Sequence, residues 1–225
     1  MKNYLKNRKI LEEGHVYSKS MEHDACGVGL IASTEGKKSR NVVEYGINAL
    51  KAVFHRGAVD ADGKTGDGAG IHLEIPSDFF AEKIELTGHK HDGSEICIGM
   101  IFLPRNNYDA QENARTLVES ELTKSGFSIY GWRQVPVNTK VLGEKANFTR
   151  PEITQVLFKN NNKNLSGKEL ERKLYESRRK IEKEAIKNAI EGFYICSLSS
   201  KSIIYKGMFL AESIADFYID LKVSN

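Results

Sequence analysis

Apolar residues recur along the chain with two periods, and together they predict a fold that contains both helices and strands. Spacings of three or four residues predict helices over residues 41–54, 77–84, 108–124 and 168–190, and the start of another within 209–218. Short apolar runs bounded by Gly, Pro or polar residues predict strands over 26–33, 70–75, 95–103 and 153–158, two short strands within 127–137, and a hairpin of 193–198 with 202–206. Strands outnumber long helices, which is typical of a layered α+β fold.

Composition narrows the class of protein. The chain has 225 residues, of which 40% are hydrophobic and 28% charged, and a chain of this size buries roughly 70% of its unfolded surface. No apolar run approaches the ~18 residues of a membrane helix, so we expect no membrane partner. Residues 168–190 hold eight basic and five acidic residues, which accounts for the whole net charge of +3. The rest is balanced, so we expect no nucleic-acid partner.

The three cysteines differ in their surroundings. Cys97 and Cys196 lie in apolar, strand-like runs, and such cysteines are usually buried structural thiols. Cys26 follows a polar leader of residues 1–25, with Ala25 before it and Gly27 and Gly29 after it. The leader is basic at its start but has no apolar stretch of signal-peptide length, which favours a cytoplasmic pro-segment.

Cleavage between Ala25 and Cys26 would give Cys26 unusual chemistry. The residue would then carry both a thiol and a free α-amine. An α-amine titrates near pH ~8, so it can serve as a general base beside the nucleophilic sulfur. Cys26 is therefore the candidate catalytic residue.

Three further motifs follow Cys26, and the set carries a family resemblance. They are His55-Arg56-Gly57-Ala58, Gly66-Asp67-Gly68-Ala69-Gly70 and Tyr205-Lys206-Gly207-Met208. In this order, from about Tyr17 to the last residue, the chain resembles the amino-terminal glutaminase domain of the large subunit of glutamate synthase. That domain is a class II glutamine amidotransferase of the N-terminal-nucleophile (Ntn) hydrolase superfamily.

The resemblance implies a function and a site. Residues 1–25 would be a propeptide, and residues 26–225 the first portion of an Ntn-hydrolase-like sandwich of antiparallel sheets between helical layers. Cys26 would attack the side-chain amide of glutamine, with Arg56, Asp67 and Gly68 as substrate-binding residues. The released ammonia would be added to 2-oxoglutarate elsewhere in the enzyme.

The resemblance also implies cofactors and partners for the whole enzyme. We expect no cofactor in this segment, whereas FMN and an iron–sulfur cluster belong to the full-length protein. The expected partners are glutamine, the remainder of the large subunit and a small subunit. The family binds the substrate carboxylate with a segment like His-Ser-Arg-Phe-Ser-Thr and the oxyanion with a later His-Asn-Gly-Glu. Neither segment occurs in these 225 residues. We therefore expect the segment to be an incomplete domain with little activity of its own.

Other site types fit the sequence less well. Gly63-Lys64-Thr65 resembles the end of a phosphate-binding loop, but position 58 is Ala58 and a strand follows instead of a helix. His89 and His91 have no ligand-type partner at a spacing that would close a metal site. Two alternatives stay open: another class II amidotransferase, of the amidophosphoribosyl or sugar-phosphate type, or an inactive binding or regulatory module with the same fold.

Overall fold

The computed structural model of the chain describes residues 6–7, 9–10, 13–14, 27–53 and 57–223. Over these ranges the main elements are α1 (Arg40–Ala52), β1 (Ala69–Glu74), α2 (Ser77–Glu85), β2 (Ile96–Leu103), α3 (Tyr108–Lys124), β3 (Phe127–Gln134), α4 (Glu144–Thr149), β4 (Glu152–Asn160), α5 (Gly167–Lys187), β5 (Tyr194–Ser199), β6 (Ser202–Gly207) and α6 (Ile214–Phe217). Short 3₁₀ turns cover Thr139–Val141, Ala211–Ser213 and Ile219–Lys222.

The strands form two antiparallel sheets. The larger has the order β3–β4–β2–β5, and the smaller pairs β1 with β6. Both neighbours of β2 run antiparallel to it, and seven of its eight residues are buried. Mixed helices and antiparallel sheets confirm the α+β class.

One core lies between the larger sheet and the two longest helices. Alternate residues of β2 and β4 point to this side, and α3 and α5 cover them with apolar stripes at helical spacing. The buried members include Cys97, Ile101, Val156, Phe158, Val118, Leu122, Leu170 and Leu174. Both helices confirm the sequence prediction closely. Asn107 starts α3 by accepting a 3.0 Å hydrogen bond from the backbone N of Ala110.

A second core lies on the opposite face of the larger sheet. Ile98 and Met100 of β2 join Ile203 and Tyr205 of β6 there, together with α2 and the segment after β6. Strand β6 packs against both β5 and β2. The smaller sheet and the end of the described chain are therefore fixed on this face, where the candidate site lies.

The predicted hairpin of 193–198 with 202–206 is wrong. Strand β5 pairs with β2, and β6 pairs with β1. The hydroxyl of Ser199 accepts hydrogen bonds from the backbone N of Lys201 and of Ser202, at 3.0 and 3.2 Å. The carboxylate of Glu171 accepts one from the backbone N of Ser200 at 2.8 Å. Because side chains satisfy these N–H groups, the chain can turn here and cross to the other sheet.

Three other predicted elements differ. Residues 27–33 have no regular secondary structure. Val28 and Leu30 are 92% and 88% exposed, so their side chains contribute no burial that would stabilise a strand. Residues 127–134 form one strand instead of two, because an irregularity between Ile129 and Gly131 bends the strand without ending it. The helix within 209–218 shrinks to a 3₁₀ turn and the four residues of α6, as the backbone becomes extended at Tyr218.

Candidate functional site

The glycine-rich segment before β1 forms a closed loop. Ala58 and Asp67 exchange two hydrogen bonds: the backbone N of Ala58 donates to Oδ2 of Asp67 at 2.9 Å, and the backbone N of Asp67 donates to the carbonyl O of Ala58 at 3.2 Å. Val59 and Gly66 form an antiparallel bridge inside this pair. The loop over residues 58–67 is called the aspartate loop below.

The carboxylate of Asp62 organises the inside of the aspartate loop. It accepts hydrogen bonds from the backbone N of Lys64 and of Thr65, at 2.9 and 2.7 Å, and from Thr65 Oγ1 at 2.6 Å. These bonds, led by the one from the Thr65 hydroxyl, lower the pKa of Asp62 to about 2. The Asp62 carboxylate thus accepts hydrogen bonds from backbone N–H groups that would otherwise have to bind a phosphate. The element after the loop is strand β1, whereas a phosphate-binding loop leads into a helix. Both observations agree with the rejection of a nucleotide site.

The aspartate loop is docked on α4. Lys145 Nζ contacts Asp60 Oδ2 at 2.8 Å, and the backbone N of Ala146 donates to the buried Thr65 Oγ1 at 3.4 Å. A Cβ on Gly143 would lie 2.1 Å from Asp62 Oδ2, so a side chain there would displace the Asp62 carboxylate from its hydrogen bonds within the loop. Sequence analysis missed Gly143 and Lys145, because about eighty residues separate them from the loop and nothing local marks the contact.

The loop brings two of the sequence motifs together. Ala69 pairs with Gly207, and Gly70 pairs with Lys206, across β1 and β6. Gly68 has φ +124°, and a Cβ on it would lie 3.3 Å from the carbonyl O of Gly207. The motif at 66–70 and the motif at 205–208 are therefore adjacent strands, and glycine allows their close approach.

A cavity of about 660 Å³ opens where these two motifs meet. Its walls are mostly apolar, and its polar side chains come from the aspartate loop, both strands of the smaller sheet, α4 and the residue after it, and the start of β5. The apolar lining includes Phe102, Ile153, Met208, Phe209 and Phe217, and the polar lining consists of Asp67, His72, Thr149, Arg150, Tyr194 and Lys206. Cavities of this size with a few convergent polar groups are typical of small-molecule sites.

The sequence that forms this cavity belongs to a known protein family. Residues 26–225 match the family of class-II glutamine amidotransferases. The chain belongs to the class-II glutamine amidotransferases.

Relatives of this amidotransferase chain are glutamate synthases. It is 55% identical to the glutamate synthase [NADPH] large chain of Azospirillum brasilense over 96% of its own length and 14% of the relative. It is 40% identical to ferredoxin-dependent glutamate synthase 2 of Synechocystis over 89% of its length and 13% of the relative. It is also 40% identical to ferredoxin-dependent glutamate synthase 1 of Arabidopsis thaliana, over 89% of its own length and 12% of the relative. The chain spans about one-seventh of the length of these relatives.

Two of the four predicted site residues of the amidotransferase lie at the cavity. Asp67 and Gly68 both line it. Cys26 and Arg56 lie outside the described residues. The structure does describe Ala58, two positions after Arg56, and Asp67 holds its backbone N–H. Asp67 therefore fixes the chain where it leaves the His-Arg-Gly motif.

Two cations of the cavity were not singled out as site residues by sequence analysis. Lys206 Nζ donates to the hydroxyl of Tyr194 at 2.8 Å and lies 4.4 Å from the centre of its ring. Burial, and secondly the positive charge of Arg105, lower the pKa of the Arg150 guanidinium. No local motif marks Arg150, since it is a lone arginine before a proline.

Cys97, Cys196 and His91 lie in surroundings that fit the structural roles expected of them. Cys97 and Cys196 are buried and form no disulfide within the described part of the chain, which confirms the burial expected of them. His91 Nε2 bonds to the carbonyl O of Ser94 at 2.9 Å. In the part of the chain that the structure describes, no cluster of three or more His, Cys, Asp or Glu residues could hold a metal ion. No helix among those residues is long and apolar enough to cross a membrane.

Proposed function

We propose that this chain belongs to the glutaminase domain of a glutamate synthase large subunit, with Cys26 as the nucleophile after removal of residues 1–25. The observation that carries the proposal is the family match, which begins at Cys26 itself and covers the segment that forms the cavity. The first 25 residues fall outside that match, as a removable leader would. The identity of 55% to a glutamate synthase large chain supports the same assignment.

The proposed reaction has two steps. The thiol of Cys26 loses its proton to the α-amine, the sulfur attacks the side-chain carbonyl of glutamine, and the amide nitrogen takes a proton and leaves as ammonia. Water then attacks the thioester, which releases glutamate and restores the thiol. Hydrogen-bond donors about 3 Å from the developing oxyanion would lower both barriers.

The proposed substrate-binding residues lie in the aspartate loop or next to it in the chain. Gly68 lines the cavity with backbone, and its φ of +124° would strain any side chain placed there, whose Cβ would also lie 3.3 Å from the carbonyl O of Gly207. Oδ2 of Asp67 already accepts the hydrogen bond from the backbone N of Ala58. Asp67 would therefore assist glutamine binding indirectly, by holding the chain segment that follows Arg56. Arg56 would then contact the substrate beside Cys26.

The rest of the enzyme would use the ammonia. We propose that the remainder of the large subunit, with FMN and an iron–sulfur cluster, adds it to 2-oxoglutarate in the cytoplasm, and that a small subunit is a further partner. The layers seen here, two helices on the larger sheet and the smaller sheet on its other face, support an Ntn-hydrolase sandwich. The named relatives favour glutamate synthase over the amidophosphoribosyl and sugar-phosphate types.

Full-length protein tests the nucleophile. N-terminal sequencing should find Cys26 first, and Cys26→Ala should abolish glutamine-dependent glutamate synthesis while ammonia-dependent synthesis continues. Cys196→Ala is the matched thiol control and should keep both activities. A terminus at Met1 or Lys2 in active enzyme would contradict the maturation step, and loss of both activities in Cys26→Ala would make the cysteine structural.

A glutamine-analogue electrophile separates the enzyme from the inactive module. Diazo-oxo-norleucine should add once to the parent protein, at Cys26, and intact mass should show no addition to Cys26→Ala. An unlabelled parent protein would favour a binding or regulatory module.

A further inference from the structure

The hydroxyl of Tyr218 supports the wall of the cavity from behind. It donates to the carbonyl O of Lys206 at 2.7 Å. The Tyr218 side chain is fully buried, and its ring packs edge-on against that of Tyr205 with centroids 5.0 Å apart. The bond therefore ties the end of β6 to a residue that does not itself line the cavity.

The stretch that this bond supports, at the end of β6 and just after it, borders the cavity. Lys206, Gly207 and Met208 all line it. A Cβ on Gly207 would lie 2.4 Å from Cε1 of Phe209, so no side chain fits at this position. Phe209 and Phe217 also line the cavity and pack against the ring of Tyr218. Tyr218 thus contacts the cavity wall both by a hydrogen bond and by ring packing.

A buried polar network holds Tyr205, the residue before Lys206, by hydrogen bonds to its hydroxyl. The hydroxyl of Tyr205 donates to Asp220 Oδ2 at 3.3 Å and accepts from Nε2 of Gln155 at 3.4 Å. Asp220 also accepts two bonds from Arg133. Burial raises the pKa of both tyrosines far above neutral pH, so both hydroxyls keep their protons and continue to donate.

We infer that Tyr218 is a positioning residue for glutamine binding, acting through the carbonyl of Lys206 on the backbone wall at Gly207. The inference rests on the proposed glutaminase function and adds a residue that touches neither substrate nor nucleophile. Without the hydroxyl, the backbone at the end of β6 can adopt more conformations. Glutamine must then order this backbone when it binds, and that cost weakens substrate binding.

The test uses Tyr218→Phe in the full-length enzyme, because phenylalanine keeps the ring packing and removes only the donor. We expect KM for glutamine to rise about fivefold, which is a hydrogen bond of about 1 kcal/mol converted at 1.4 kcal/mol per tenfold. The kcat with saturating glutamine and the ammonia-dependent rate should stay within twofold. Alkylation by diazo-oxo-norleucine at a fixed low concentration should slow, while alkylation by iodoacetamide should not.

Ser177→Ala is the matched control. Ser177 is equally buried, and its hydroxyl donates to Ser125 Oγ at 2.9 Å on the far face of the larger sheet. The control should leave KM for glutamine unchanged even if it lowers the thermal midpoint. Should Tyr218→Phe not fold, Tyr205→Phe tests whether buried hydroxyls position this end of β6, since it removes the bonds to Asp220 and Gln155 at the adjacent residue. An unchanged KM for glutamine in that variant would also overturn the proposal.

An unchanged KM in Tyr218→Phe, or an equal rise in the Ser177→Ala control, would overturn the positioning role. Failure of the proposed function has a different signature. In that case the parent protein would not hydrolyse glutamine, or Cys26→Ala would hydrolyse it as fast as the parent.

Discussion

Arg133 and Asp220 form a two-point ion pair that joins β3 to the last described segment of the chain. Nη1 of Arg133 lies 2.8 Å from Oδ2 of Asp220, and Nη2 lies 2.6 Å from Oδ1. The two side chains are 14% and 6% exposed. Gln155 adds a third acceptor for Arg133 at 2.7 Å. The pair is therefore largely buried and held by several hydrogen bonds, which is the arrangement in which losing one partner costs most.

We predict that Asp220→Ala lowers the free energy of unfolding by about 3–5 kcal/mol, because it leaves the buried Arg133 charge uncompensated. Asp216→Ala is the matched control in the same segment. Its partner Lys222 lies 2.7 Å away, but the two side chains are more than half exposed, so the loss should stay below about 1 kcal/mol. Pulse proteolysis in urea measures both. Equal effects would mean that burial does not decide the strength of these pairs.

Gly143 should tolerate no side chain, although its backbone is ordinary. Its φ is −70°, so the obstacle is purely steric: a Cβ would lie 2.1 Å from Asp62 Oδ2 and 2.3 Å from Thr65 Oγ1. We predict that Gly143→Ala destabilises the protein by about 1–3 kcal/mol and exposes the aspartate loop to protease. Gly46→Ala inside α1 should do the opposite, since its Cβ would have only an ordinary contact and alanine favours a helix by about 1 kcal/mol. A stable Gly143→Ala with an intact loop would contradict the docking contact.

The aspartate loop should loosen in acid. The pKa of Asp62 is about 2 in the folded protein and 3.8 ordinarily. Because the folded value is depressed, the carboxylate's contribution to stability is present above pH 3.8 and is lost as pH falls through about 2. Amide hydrogen exchange of residues 58–67, corrected for intrinsic rates, should show protection falling between pH 4 and pH 2.

Two variants check that acid effect. Asp62→Asn should reduce the protection of the loop at pH 6 and flatten its dependence on pH. Asp92→Asn removes a different carboxylate, whose pKa is lowered mainly by Lys159, and should leave residues 58–67 unchanged. An unaltered acid profile in Asp62→Asn would assign the effect to another group.

The thiols should differ sharply in reactivity. Burial raises the pKa of Cys196 to about 11 and raises that of Cys97 further, so few thiolates form near neutral pH. Iodoacetamide at pH 8 should therefore leave both unmodified in folded protein and modify both in denaturant. Peptide mapping by mass measures this. Rapid modification of Cys97 without denaturant would show that β2 opens readily.

The sequence by itself determined most of the local elements and the family. The helical spacing of apolar residues placed α3 over its observed residues, and the buried run around Cys97 placed β2 within one residue. Four motifs in order identified an amidotransferase, since each depends on residue types close together in the chain. These features are local, and short-range geometry is enough to produce them.

Only the tertiary structure decided how the elements meet. The sequence pattern of β5 and β6 fits a hairpin, yet Glu171 and Ser199 take the N–H groups of the turn and β6 pairs with β1. Gly143 and Lys145 join the aspartate loop, and Asp220 joins Arg133, across about eighty residues or more of chain. Such contacts leave no periodic trace, because they depend on which surfaces pack together after the chain has folded. The cavity that bears the proposed chemistry is built from contacts of this second kind.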